Sequence, residues 1–168
     1  MANDRLPIIS AHLDRTLTFF GRIESKSSLL FASNVGILSL MLYNITYQDI
    51  QTWYVIFPVL LAIILIAFSL GHLYLASFPD TKGGQDSLFY FKSVGSSTEQ
   101  NYVDSFIAKS DHDIEKDLLG QIWRNSQILK DKFLHIEKAY RLSLWSILPW
   151  TVFLVASSIV NSRMPMLG

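Results

Sequence analysis

The chain has 168 residues, enough for one domain, with 14 basic and 14 acidic side chains and no cysteine. Disulfides, thiolate chemistry and Cys-ligated zinc are excluded, and no net charge favours bulk nucleic-acid binding. Half of the residues are hydrophobic and the mean hydropathy is +0.29, high for a soluble domain.

Residues 1–28 carry scattered charges without the basic stretch, apolar core and small-residue cleavage site of a secretory signal, so the segment is expected to be retained. Within it Ile9, Leu13, Thr16, Phe20 and Ile23 recur in alternating steps of four and three, a helical seam preceded by Pro7. No breaker stronger than Gly21 follows. Residues 8–45 are therefore predicted to form one nearly continuous helix.

Three stretches, 27–48, 50–79 and 142–162, contain no Asp, Glu, Lys or Arg. A helix needs roughly 20 residues to cross a ~30 Å hydrocarbon layer. The spacing places membrane helices over 29–45, 53–75 and 144–160, and "WYVIFPVLLAIILIAFSL" is apolar on every face. Residues 1–28 hold Arg5, Arg15, Arg22 and Lys26, the 46–52 connection holds no basic residue, 78–143 holds nine, and the C-terminal tail holds only Arg163. The excess of positive charge on the cytoplasmic side then puts the N-terminus and the 78–143 insert inside and the C-terminus outside. Trp53, Trp145 and Trp150 stand near span ends, where interfacial anchors belong.

The insert opens on a turn-rich loop, "FPDTKGGQDS", followed by the aromatic patch "LFYF", whose conformation the pattern leaves open. Ser96 with Glu99 reads as a capping box for a short helix over 98–109, striped by Tyr102, Val103, Phe106 and Ile107. "SDHDIE" is a second start signal, with Ser110 or Asp111 as cap and acidic groups suited to the positive end of a helix dipole. A seam of Ile114, Leu118, Ile122, Leu129, Phe133, Ile136 and Tyr140 then runs without a stop into the third span. The predicted class is an all-α membrane protein. Three transmembrane helices carry a small cytoplasmic helical head, built from the extended N-terminal helix over 1–28 and the 78–143 insert.

Chemistry is sparse. His12, His72, His112 and His135 lie on different segments, and no second ligand cluster accompanies "DHD" at 111–113, so neither a metal nor a catalytic site is expected. His72, late in the second span, suits a hydrogen bond near the interface better than a proton relay. Ala32, Ser33, Asn34, Gly36, Ser157 and Ser158 would allow close helix contact. A small anionic ligand would need one or two cations beside an aromatic wall. The candidates are Arg22, Lys26, Lys92, Arg124 and Lys132 as cations, with Tyr90, Phe91 and Trp123 as wall.

The order of these features resembles the transmembrane effector family of Pycsar anti-phage systems. It rests on "ESKSSLLFASNVGILSL", where an acidic-x-Lys pattern precedes the first span, on "LFYFKSVGSSTEQNYVDSF", and on "DLLGQIWRNSQILKDKFLHIEKAY", leading into the last span. Ser27 departs from the pattern, which carries alanine after the lysine. The resemblance implies a non-enzymatic effector without cofactor in the bacterial inner membrane. It would be triggered by cyclic CMP or cyclic UMP made by a partner cyclase upon infection. It would then impair the membrane, stop the infected cell by abortive infection, and act among lipid as a homo-oligomer. The family supplies no binding residues to transfer, so Arg22, Lys26, Tyr90, Lys92, Trp123, Arg124 and Lys132 rest on charge and position alone. The competing reading is a membrane-embedded helical scaffold that binds no nucleotide.

Overall fold

The computed structural model describes residues 5–78 and 87–161; about 92 % of these are helical and none forms a strand. The helices are α1 (Arg5–Asn44), α2 (Tyr47–Gln51), α3 (Trp53–Ser77), α4 (Phe91–Ser96), α5 (Glu99–Ala108) and α6 (Asp111–Asn161). α1, α3 and α6 are long and apolar enough to cross a membrane, which is the predicted class. The chain divides into two compact units, Met1–Ile23 with Phe78–Asp131 and Glu24–Ser77 with Lys132–Gly168. They are called the head unit and the bundle unit below. The loop at 79–86 and Arg163 lie outside the described residues.

In the head unit the α1 seam is as read: Ile9, Thr16 and Ile23 are buried, with Leu13 and Phe20 half-buried. Ile9 packs with Leu118 and Ile122 of α6, joined by Leu6, Leu13 and Ile114. Each of the three buried side chains contributes about 1.5–3 kcal/mol by leaving water. α6 starts at a capping box: the Asp113 N–H donates to Ser110 Oγ at 3.3 Å and the Ser110 N–H donates back to the Asp113 carboxylate at 3.3 Å, joined by the Ser110 hydroxyl at 2.6 Å. The Ser110 hydroxyl and then its backbone N–H hold the Asp113 carboxyl below the usual carboxylate range.

The other cap differs from its sequence reading. Thr98 caps α5, accepting the Asn101 N–H at 3.3 Å, so Glu99 is the first helical residue and no Ser96–Glu99 box forms. The reason is a helix that the pattern did not announce. Residues 91–96 coil into α4, and Ser97 and Thr98 are both extended (ψ 159° and 155°) before the chain turns helical again. "LFYF" forms the entry to α4, with Tyr90 at its N-cap.

The bundle unit is built on a core of Met41, Val55, Val59, Ala62, Ile66 and Phe153, each at most 1 % exposed. Beside it sits a polar triad with one side chain from each long helix, and its Ser69 hydroxyl also donates to the Ala139 carbonyl at 2.9 Å. Asn34 Nδ2 donates to Ser69 Oγ at 2.9 Å, Ser143 Oγ donates to Asn34 Oδ1 at 2.8 Å, and the two serine oxygens are 2.9 Å apart. In lipid, polar groups must satisfy each other, and the triad together with the Ala139 carbonyl does so.

Two readings of the spans need correction. The α6 seam does not continue through Phe133 and Tyr140, which are 42 % and 55 % exposed; Ala139, Ser143 and Ser146 turn inward instead. In lipid, apolarity does not mark the inward face, and small side chains that admit a neighbouring backbone do. Likewise Asn34 and Ser157 are inside, whereas Ala32, Ser33 and Gly36 are exposed. Ser33 meets its hydrogen-bond need by donating to the Leu29 carbonyl at 2.9 Å. Trp150 packs on the core with its Nε1 buried and without a hydrogen-bond partner among the described residues, so it is not placed as an anchor.

Ser27 is 5 % exposed and its hydroxyl has no hydrogen-bond partner among the described residues. Leaving a buried hydroxyl unpaired costs about 1–3 kcal/mol. Ser27→Ala is therefore expected to raise the detergent melting temperature by a few degrees, roughly 2–4 °C per kcal/mol at this size. A lower melting temperature would show that the hydroxyl is satisfied.

Candidate functional site

The residues between the loop and α4 are anchored on α6. The Leu88 N–H donates to Asp117 Oδ2 at 2.8 Å, and Gln121 Nε2 donates to Ser87 Oγ at 2.8 Å. Ser87 and Leu88 are both buried, which holds the chain against the helix before α4 leaves it. On α5, Phe106 stacks edge-on against Phe89, ring centroids 6.2 Å apart, and also neighbours Tyr102 at 6.2 Å. The break at 97–98 opens a cavity of about 440 Å³ lined by Ser87, Leu88, Ser93, Val94, Ser96, Ser97, Asn101, Tyr102, Ser105 and Lys109.

This size falls in the range of small-ligand sites, about 300–1,000 Å³. Five serines line the cavity: the Ser96 and Ser97 hydroxyls donate to the Ser93 and Val94 carbonyls and keep lone pairs to accept with, Ser87 accepts from Gln121, and the Asn101 amide offers both donor and acceptor, as a sugar or a base edge requires. Lys109 is the only cation among the described residues of the lining. It is the group that attracts an anion here, because Glu99 occupies the first turn of α5 and opposes negative charge at the helix N-terminus.

The seven sequence candidates lie elsewhere. In the head unit, the Arg22 guanidinium lies 5.3 Å from the centre of the Phe19 ring and lines a small cleft with Arg15 and Thr18. Arg124 faces Asp117 at 3.8 Å, the carboxylate that also holds Leu88. Tyr90 stands at the N-cap position of α4 with its ring 5.0 Å from that of Phe91, Lys92 is exposed on α4, and Trp123 is 65 % exposed on α6. In the bundle unit, Lys132 donates to the Ala76 carbonyl in the last turn of α3, where a cation offsets the negative helix end. Lys26 lines a groove of about 690 Å³ with Leu29, Leu30, Ser33, Phe133, Ile136, Glu137 and Tyr140. Tyr90, Lys92, Trp123, Arg124 and Lys132 line none of these cavities.

Two groupings were not visible in the sequence. His72 and His135, read as belonging to separate segments, meet with Nδ1 atoms 3.1 Å apart. Asp49, in the connection between two spans, is 1 % exposed. Its carboxylate accepts from the Thr46 N–H at 2.8 Å and hydroxyl at 2.7 Å, from Ser157 Oγ at 3.0 Å and from Asn161 Nδ2 at 2.8 Å. Burial raises its pKa, but the bonds from Thr46, Asn161 and Ser157 outweigh this and hold it below the ordinary value. The signal for α2 was present, since Thr46 and Asp49 stand at capping-box spacing. Nothing local pointed to Ser157 or Asn161, more than 100 residues away. Among the described residues no three His, Asp or Glu are grouped to hold a metal ion.

A family model described as a Pycsar effector protein domain matches residues 8–157, most of the chain and all of the pocket. No curated protein and no solved structure matches.

Proposed function

The chain belongs to the Pycsar effector protein family, and from that we propose that this membrane-held anti-phage defence effector senses cyclic CMP or cyclic UMP in the α4–α5 pocket and then impairs the inner membrane. The observation that carries the ligand reading is the pocket itself. Its described lining combines nucleotide-sized volume, hydroxyls and an amide for sugar and base edge, an aromatic ring at Tyr102, and a cation at Lys109 for a singly charged cyclic phosphate. The family match supports a nucleotide signal from a partner cyclase. The positive charge on residues 1–28 and 78–143 supports a cytoplasmic head with the C-terminus outside, where such a signal would arrive.

Coupling follows from continuity. Lys109 is the C-cap residue of α5 and is separated from α6 by Ser110 alone, and α6 runs unbroken from Asp111 to Asn161. A ligand that draws Lys109 toward α4 acts on the start of the helix whose far half belongs to the bundle. It activates only insofar as it binds the permeabilising arrangement more tightly than the resting one. The exposed apolar side chains of the head, among them Ile107 at 77 % and Trp123 at 65 %, support assembly into homo-oligomers.

Calorimetric titration of the detergent-purified protein with cyclic CMP, cyclic UMP and cyclic AMP tests this. Saturable binding of one pyrimidine nucleotide without cyclic AMP binding is expected. A folded, monodisperse sample that binds neither pyrimidine overturns the sensor reading and favours a scaffold without nucleotide.

A further inference from the structure

The interior of the bundle unit is layered. The Asn34–Ser69–Ser143 triad is followed by an apolar layer of Met41, Val59, Ile66 and Phe153, and beyond it Asp49 is held by Thr46, Ser157 and Asn161. α6 contributes to all three layers from one face. Ser143, Ser146, Ser157 and Asn161 point inward or are half-buried, whereas Trp145, Leu148 and Ile159 on the opposite side are 64–73 % exposed. Ser146 Oγ meets its need on its own helix, donating to the Ser143 carbonyl at 2.7 Å.

A membrane bundle needs no polar interior to be stable, because small apolar residues pack as closely. Once the helices part, these groups cannot face lipid without losing their hydrogen bonds, and water is the solvent that satisfies them. Asp49 adds a further feature. Among the described residues all of its hydrogen-bond partners are neutral, so none of them offsets its charge. A carboxylate with that property lowers the energy of a passing cation and raises that of an anion, while an apolar constriction closes a path by excluding water.

We propose that the polar stripe of α6 lines the path by which small cations cross the membrane when this effector permeabilises it, with the layer around Phe153 as the closed gate and Asp49 as the cation-attracting end. The inference rests on the reading that the protein breaches a membrane, and it names what passes and which face it passes along. It does not require a nucleotide, so the two can fail separately.

The test uses the full chain in vesicles of phosphatidylethanolamine and phosphatidylglycerol, without nucleotide. Phe153→Ser, which makes the gate layer wettable, is expected to raise potassium efflux at least tenfold over the unsubstituted protein, and Leu148→Ser on the exposed side is not. In the Phe153→Ser background, Asp49→Asn should reduce the cation-to-anion permeability ratio at least fivefold. Because the chain has no native cysteine, Ser146→Cys in that background should make the efflux sensitive to a membrane-impermeant thiol reagent, and Leu148→Cys should not. If Phe153→Ser does not yield monodisperse protein, the near-isosteric Val59→Thr makes the same test. Sealed vesicles with either folded gate variant, equal efflux from Leu148→Ser, or an efflux indifferent to both Asp49→Asn and the thiol reagent overturns the proposal. The triad would then serve only as interhelical glue.

Discussion

Lys109→Ala is expected to weaken cyclic pyrimidine binding at least tenfold while leaving helix content and melting temperature unchanged. A charge-assisted hydrogen bond to a phosphate is worth about 1.5–3 kcal/mol, or roughly one to two orders of magnitude in affinity. Lys109 is the sole cation among the described residues that line the pocket, so none of them substitutes for it. Lys109→Arg should recover part of the loss, since the charge survives in a different shape. Arg22→Ala is the contrast. Its guanidinium rests on Phe19 in a separate cleft, and its removal should leave the titration unaltered. Unchanged affinity in Lys109→Ala, with lost affinity in Arg22→Ala, would move the ligand from the pocket to the N-terminal helix.

Asp49→Ala should lower the melting temperature in detergent by roughly 5–15 °C, on a cost of about 2–4 kcal/mol. The truncation removes the acceptor for four bonds and leaves the buried Ser157 and the half-buried Thr46 and Asn161 with donors to re-pair. Asp49→Asn keeps the shape and should cost less. The pH dependence has a definite sign. Asp49 titrates below its ordinary 3.8 in the folded protein, so its stabilisation is complete above that value and disappears as pH falls through the lower folded one. The acid limb of the stability profile should therefore be shallower in Asp49→Asn than in the unsubstituted chain. A change of no more than a degree or two in Asp49→Ala would mean that the hairpin end holds without its carboxylate.

These two residues mark what was legible in different ways. The three long helices were readable because length, absence of charge and the 3.6-residue period are local properties, and α1 and α6 lie within a few residues of their predicted limits. The Ser110 cap was readable for the same reason. α4 was not. Six residues bearing glycine and two serines have little helical preference of their own, and what positions them is the burial of Ser87 and Leu88 against α6. With α4 unseen, the α5 cap was placed two residues early. The pocket between the two helices had no sequence signature.

The choice of ligand candidates shows the same limit. Basic residues near aromatic ones can be listed from a chain, but whether each is free depends on partners distant in sequence. Arg124 faces Asp117, Lys132 bonds the end of α3, and Arg22 covers Phe19. Lys109, which stood in the predicted short helix, carried no mark to separate it from the other lysines.

By itself the sequence determined the all-helical class, the three spans, the long unbroken α1 and α6, and the order of motifs that places the chain in its family. Each of these follows from the composition and spacing of neighbouring residues. Only the tertiary structure decided which polar side chains meet. His72 found His135, Asn34 found Ser69 and Ser143, and Asp49 found Ser157 and Asn161. Within lipid almost every face of a helix is apolar, so hydropathy does not distinguish inside from outside. The inward face is set by where small and polar groups on separate helices can satisfy one another, a condition that no single segment of the chain contains.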